Sequence, residues 1–482
     1  MSELWQMPAV DLAASIRARQ IGCRELMDAV LERIERLNGD TNAFAIVDPQ
    51  AARKAADDAD GLVRSGAELG PLHGVPVSVK DLISTAGMRT TFGSHAFATQ
   101  VPTVDGEAVA RIRRAGGIVF GKTTTAELGC KITTDSPLHG TTRNPWNLER
   151  TSGGSSGGAA VATAMGFGPL ALTTDGSGSS RVPAACCGVV GLKPTLGAVP
   201  MELAADLFGG VSCIGAMART AADIRLIFNA MAGPSRNDPW TLGQSHPPAQ
   251  TAARSFAGLR VRWIKTVGEH AVDPDVERLT AAAIGQMADA GAHVVDGSAS
   301  FDWALDACRK LIRANQAARY GHLLEKWRDR LDPIAVQCIE EGLSQSRAEL
   351  SAAMLERTAL FRRVQALFDD ADVLVMPTFA ATPPLASHRA DQPFSVAGTP
   401  AQPLRASWYS YGVPFNPTGH PAISVPCGRA SDGLPVGLQI VGPWHAEHLL
   451  IDLAQALEPL IGWRNQWPAL AFSDSLNQGI SA

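Results

Sequence analysis

No run of about 18 apolar residues occurs anywhere in the 482-residue chain, so it offers no segment that would span a bilayer as a helix. The opening, MSELWQMPAVDLAASIRARQ, carries charges where a secretory signal needs its apolar centre. A soluble, cytoplasmic protein is expected. The eight cysteines (Cys23, Cys130, Cys186, Cys187, Cys213, Cys308, Cys338, Cys427) show neither a disulfide-framework spacing nor a C-x-x-C pattern, and read as mostly buried thiols in a reducing compartment. Charge of one sign is scarce as well. Forty-two basic against 47 acidic residues give a net charge of −5 with no long run of either, so there is no basic stripe for a phosphate backbone. Nucleic acid and membrane are not expected partners. What the chain does have is 45% hydrophobic residues and 46 glycines, the composition of a globular enzyme with a large core.

The length exceeds that of a usual domain, yet neither an internal repeat nor an interdomain linker interrupts it, so one mixed domain over 1–482 is expected. Residues 1–70 read as mainly helical, with Leu26, Val30, Ile34 and Leu37 at helical spacing. From residue 72 onward short apolar runs alternate with helical patterns: VPVSV, EAVARIRRAG, GIVFG, GGAAVATAMG, PLALTTD. This order predicts an α/β fold, a sheet covered by helices on both faces. Residues 300–370 read as a helical insertion before the apolar strand DVLVMP, and LPVGLQIVG with AEHLLIDLAQAL closes the pattern. The proline-rich stretch 378–405 is too long for an ordinary connector and reads either as a lid or binding loop or as a plain surface loop.

Three motifs compete for the chemistry. Gly116–Thr123 (GGIVFGKT) matches the phosphate-loop pattern with Lys122 as its lysine, but Ile118, Val119 and Phe120 are β-prone where a phosphate loop must curl. Gly153–Gly157 (GGSSG) matches the G-x-S-x-G elbow with Ser155 as nucleophile, but the preceding RNPWNLERTS is polar and turn-prone where the elbow needs a buried strand. The third arrangement joins distant segments. Lys80 ends the run V75-P-V-S-V79, while GGSSGG at 153–158 and DGSGSSRVPA at 175–184 supply serines on two glycine-dense loops. Taken alone, such a lysine is more often an exposed strand-end residue. None of the eleven histidines lies in the serine loops, so the usual partner of a serine nucleophile is missing there. A lysine replaces it only if its surroundings favour the neutral amine.

Together these segments resemble the amidase signature family over nearly the whole chain. The matching stretches are LHGVPVSVKDLI (72–83), GGIVFGKTTTAELG (116–129), GTTRNPWN (140–147), TSGGSSGGAAVA (151–162), LTTDGSGSSRVPAACCGVVGLKPT (172–195), NPTGHPAISVPCG (416–428) and LPVGLQIVG (434–442). The resemblance implies a single α/β domain with a mixed central sheet, no cofactor and no metal. It places the base on Lys80, the bridging serine on Ser155 and the nucleophile on Ser179, with backbone N–H groups of Gly176, Ser177, Gly178 and Ser179 as oxyanion hole and Asp175–Arg181 as a supporting ion pair. The sequence departs from the family at Ser177, where glycine is common, and at Ser180, where isoleucine is frequent. The implied reaction is carboxamide hydrolysis through an acyl-enzyme. A carbamate or hydrazide is equally accessible, and the glutaminase subunit of a tRNA-dependent amidotransferase is the other reading. The expected partners are a small-molecule amide or carbamate and, in a homodimer, a second copy of the chain. Trp303, Trp327 and Phe394 are candidate aromatic walls for an aryl or apolar substrate, although core packing is the commoner reason for such residues.

Overall fold

The β-prone runs become the strands of one eleven-stranded sheet in the computed structural model, which describes residues 3–204, 206–242 and 254–473. Its strands in chain order are β1 (Phe44–Val47), β2 (Pro76–Lys80), β3 (Ile118–Thr123), β4 (Leu170–Asp175), β5 (Val190–Lys193), β6 (Cys213–Ala218), β7 (Arg260–Val267), β8 (His293–Ala299), β9 (Val373–Pro377), β10 (Ala422–Arg429) and β11 (Pro435–Val441). Across the sheet they run β1-β3-β2-β4-β6-β5-β10-β11-β9-β7-β8. Parallel pairing joins β3 to β2, β2 to β4, β9 to β7 and β7 to β8, and every other neighbour pair is antiparallel. The sheet is therefore mixed, as expected for a single α/β domain.

Every residue of β2, β3, β9 and β11 is buried, which is why these strands read as continuous apolar runs rather than alternating ones. Helix Cys23–Thr41 buries Leu26, Val30, Ile34 and Leu37 on one face, and β1 then joins the sheet edge before helix Pro49–Ser65. Helix Gly157–Ala164 (GGAAVATA) is buried along its whole length because its residues are small enough to lie against β2, β4 and helix Arg181–Cys187. A Cβ on Gly158 would sit 2.3 Å from Thr124 Oγ1, so only glycine allows this approach.

Helices Asp302–Tyr320, Pro333–Leu343 and Arg347–Ala366 occupy most of 302–366. A small apolar cluster of Leu128, Cys130, Tyr320, Leu331, Ala335 and Ile339 docks this helical segment onto the loop after β3. Lys131 bridges Asp135 and Asp332 beneath it, and Asp332 caps the helix Pro333–Leu343 by accepting the N–H of Ile334 at 2.9 Å. The helical segment is thereby held against the sheet edge where the candidate site lies.

Candidate active site

Strands β2 and β4 run parallel and stop together, so Lys80 and Thr174–Asp175 reach the same edge of the sheet. Carboxyl ends of neighbouring strands are where open α/β sheets hold ligands. Two further segments converge there, each just before a helix: 152–156 ahead of Gly157–Ala164, and 176–180 ahead of Arg181–Cys187.

Lys80 Nζ lies 2.8 Å from Ser155 Oγ, 2.7 Å from Ser156 Oγ and 3.0 Å from Thr174 Oγ1. Ser155 Oγ lies 3.2 Å from Ser179 Oγ. The lysine and the two serines thus form one continuous hydrogen-bonded chain, though 75 and 24 positions separate its successive members. Ser155 follows a cis Gly154–Ser155 peptide bond. Lys80 has no exposed surface, and its burial pushes the ammonium pKa down to about 7 against the opposing pull of Asp175.

The loop carrying Ser179 is anchored by charge. Arg181 Nε and Nη2 donate to the two Asp175 oxygens at 3.0 and 3.1 Å, and the other donors reach Gly412 O (3.0 Å), Gln439 Oε1 (2.7 Å) and Asn416 Oδ1 (2.6 Å). All five guanidinium N–H groups are used, the condition under which a fully buried ion pair is tolerated. Burial alone would raise the Asp175 carboxyl, but Arg181 and the Ser180 N–H hold it down at about 2. Arg181→Met strips the carboxylate of its partner, and a loss of about 3–5 kcal/mol is expected, read as a lower urea midpoint at unchanged slope.

The amide of Gly178 also donates to Asp175, which differs from its expected place in the oxyanion hole. The amides of Gly176, Ser177 and Ser179 donate to no protein acceptor among the described residues. Gly178 has φ of +113°, and an added Cβ there would overlap Tyr409 Oη, whose hydroxyl donates to Ser177 O. Both departures from the family pattern have partners: Ser180 Oγ is 2.7 Å from Thr173 Oγ1, and Ser177 Oγ accepts from Arg405 Nη1 at 2.6 Å.

The Amidase family profile matches residues 25–451. The chain belongs to the amidase signature family. It is 34% identical to an acylamidase of Rhodococcus erythropolis, over 96% of this chain and 97% of that one. It is equally 34% identical to a glutamyl-tRNA(Gln) amidotransferase subunit from Acidothermus cellulolyticus, over 95% of each. Among solved structures, a bacterial aryl acylamidase of the amidase signature family superposes with a TM-score of 0.90 at 28% identity, covering 97% of this chain and 99% of that one. A 6-aminohexanoate cyclic dimer hydrolase gives 0.86 at 29% identity, covering 98% and 100%.

In this amidase the other two motifs resolve into framework. Lys122 lies in the extended strand β3, not in a loop, and its buried amine is spent on Ile83 O, Thr85 Oγ1 (2.9 Å) and Thr90 Oγ1 (3.0 Å). The strand before Ser155 is the partly exposed Asn147–Thr151, so no elbow raises that serine. A cleft of about 210 Å³ opens over Ser155 and Ser179, walled by Phe92, Leu196, Val199, Trp240, Ile312 and Tyr320. Ile312 and Tyr320 come from helix Asp302–Tyr320, so the helical segment forms one wall. The aromatic walls are not those singled out in the sequence. Trp303 and Trp327 lie against Arg363 and Arg330 instead, and Phe394 packs edge-on to His388. Ser156 and Thr174 fall inside the matching stretches but carry no signal of their own. Arg405, the last residue of the proline-rich stretch, and Tyr409, four residues beyond it, both reach the loop at Ser177 and have no sequence signal either.

Proposed function

We propose that this amidase hydrolyses its amide through an acyl-enzyme on Ser179, with Lys80 as base and Ser155 as proton relay. The observation that carries the reading is the Lys80–Ser155–Ser179 chain, 2.8 and 3.2 Å between successive atoms, ending on a fully buried lysine. A serine hydroxyl needs a base within hydrogen-bond reach, and a protonated ammonium cannot serve. With its pKa near 7, Lys80 has a substantial neutral fraction in neutral solution, and its lone pair accepts the proton of Ser155 as Ser155 accepts that of Ser179. The amides of Gly176, Ser177 and Ser179 stabilise the oxyanion, an interaction worth about 2.7–4 kcal/mol per donor. Collapse of the tetrahedral intermediate requires a proton on the departing nitrogen, and Ser155 delivers it, recovering its own from Lys80. Water then hydrolyses the acyl-enzyme by the same relay.

The apolar cleft suits an aryl or aliphatic group, in keeping with the acylamidase and aryl acylamidase among its relatives. Carbamates and hydrazides fit the same relay. The similarity to an amidotransferase subunit supports a second reading, a glutaminase half that works only with partner subunits. Hydrolysis of an aryl amide by the chain purified alone decides for the first; inactivity on a broad panel, reversed by partner subunits, decides for the second. The eight buried free thiols suit a reducing compartment such as the cytoplasm. A fluorophosphonate is expected to label Ser179 and leave Ser155 unmodified. Peptide mapping by mass spectrometry reads this directly, and a label on Ser155 would return the nucleophile to the elbow motif.

A further inference from the structure

The reaction proposed above gives no role to the charged side chains that line the cleft, Arg405 among them. Arg405 stands at the start of the short helix Leu404–Trp408, is half-buried, and lines the cleft with Ser177 and Ser179. Its Nη1 donates to Ser177 Oγ at 2.6 Å, two residues from the nucleophile, and its other N–H groups meet no acceptor among the described residues. Nor does it form an ion pair with any carboxylate among them.

The acids of the cleft are engaged elsewhere. Asp238 accepts the N–H groups of Trp240 at 3.0 Å and Met201 at 2.8 Å, while Asp206 accepts those of Phe208 at 3.1 Å and Gly209 at 2.8 Å. A second cation, Arg319, likewise has no carboxylate partner among the described residues and lies over the rings of Phe92 and Tyr320, 5.7 and 5.1 Å from their centroids. The nucleophile is thus flanked by a partly desolvated guanidinium with open N–H groups, and the surrounding wall is largely apolar. A planar fork of donors in such a setting matches a carboxylate in shape and charge, and the low dielectric strengthens the pairing.

We infer that the site favours amides that carry a carboxylate near the scissile bond, held by Arg405. This rests on Ser179 being the reacting serine. The carboxylate has two possible sources, the acyl part, as in the monoamide of a short dicarboxylic acid, or the amine part, as in an N-acylated amino acid.

Matched pairs test both. On the acyl side, the monoanilide of glutaric acid is compared with the anilide of 5-oxohexanoic acid, a neutral isostere. On the amine side, an N-acylated amino acid is compared with the same amide of the corresponding amino alcohol. The readout is the ratio of kcat/KM for the anionic and neutral members, which cancels any general effect of a substitution on the site. The wild-type ratio is expected to exceed one on at least one arm, and Arg405→Gln to lower it by about 30-fold or more, the lower end for removing one partner of a buried charge pair. Arg405→Lys, which keeps the charge but loses the fork, is expected to fall between. A wild-type preference for the neutral member on both arms overturns the inference without any variant, and so does a ratio that Arg405→Gln leaves unchanged. Calorimetric binding of the glutaric monoanilide and of the N-acylated amino acid to Ser179→Ala separates the two readings. A Ser179→Ala protein that still turns over amide removes the acyl-enzyme scheme, whereas an inactive one that binds the anionic and neutral members alike removes only the role of Arg405.

Discussion

Lys80→Ala is expected to slow acylation of Ser179 by on the order of 10⁴-fold, the upper end for losing a positioned base, and to erase the pH dependence that the base imposes. In the wild-type enzyme kcat/KM rises as pH climbs through about 7, because burial holds the Lys80 amine near that value rather than at the ordinary 10.5. Lys80→Arg separates two explanations of the loss. A guanidinium keeps the positive charge and cannot act as a base, so inactivity of both variants points to proton transfer, and rescue by arginine points to electrostatics. Stability gives a second readout with a definite sign. The unfolded lysine binds its proton up to about 10.5 and the folded one only to about 7, so between these values the unfolded state holds more protons and stability rises with pH. This contribution is complete above about 10.5 and is lost as pH falls through about 7. Lys80→Met is expected to flatten that part of the slope in urea unfolding across the range. A Lys80→Ala protein that folds normally and keeps both the wild-type rate and the wild-type pH profile would sink the assignment.

Ser155→Ala is expected to lower amide hydrolysis by about 10³–10⁴-fold, while activated aryl esters lose far less, because the two leaving groups differ in their need for a proton. The variant keeps the nucleophile and the base. What it loses is the only atom that hydrogen-bonds to both among the described residues: Lys80 Nζ contacts Ser155, Ser156 and Thr174, and Ser179 Oγ is reached through Ser155. Ser156, at 2.7 Å from the amine, also contacts Thr174 O at 3.3 Å and does not replace the relay. An amide nitrogen without its proton is too basic to depart, whereas an aryl oxide leaves unaided. Equal losses on a p-nitroanilide and the matching p-nitrophenyl ester would show that Ser155 shapes the site without carrying the proton.

Much of the site was legible because its parts lie in short, glycine-rich or strand-end stretches that allow few conformations. GGSSGG and DGSGSS mark two tight backbone segments, and VPVSVK marks a buried strand ending in a charge. Lys122 shows the limit of such reading. It also lies within a buried strand, carries a recognised motif, and has its pKa lowered by desolvation to about 8, yet its amine is occupied by Ile83, Thr85 and Thr90. Nothing in the local pattern tells a framework lysine from one that meets two serines. Gly178 is a similar case: its place before Ser179 was visible, but the turn of its N–H toward Asp175 depends on where the Arg181 pair holds that carboxylate.

The alternation of buried strands and helices follows from the amino-acid order, as do the stretches in which Lys80, Asp175, Ser155, Ser179 and Arg181 are found. Apolar periodicity and glycine content are local quantities, and they survive in one dimension. Folding in three dimensions was needed to bring the ends of β2 and β4 side by side, and to bring residues 75 and 24 positions apart within hydrogen-bond distance. It also selected which aromatic rings wall the cleft. Trp303, Trp327 and Phe394 were as plausible in sequence as Phe92, Trp240 and Tyr320, because side-chain chemistry is the same on either face of a wall. The position of Arg405 belongs to the folded chain as well, since it depends on a long stretch returning to the Ser179 loop, 228 positions from Ser177, where no periodicity constrains the path.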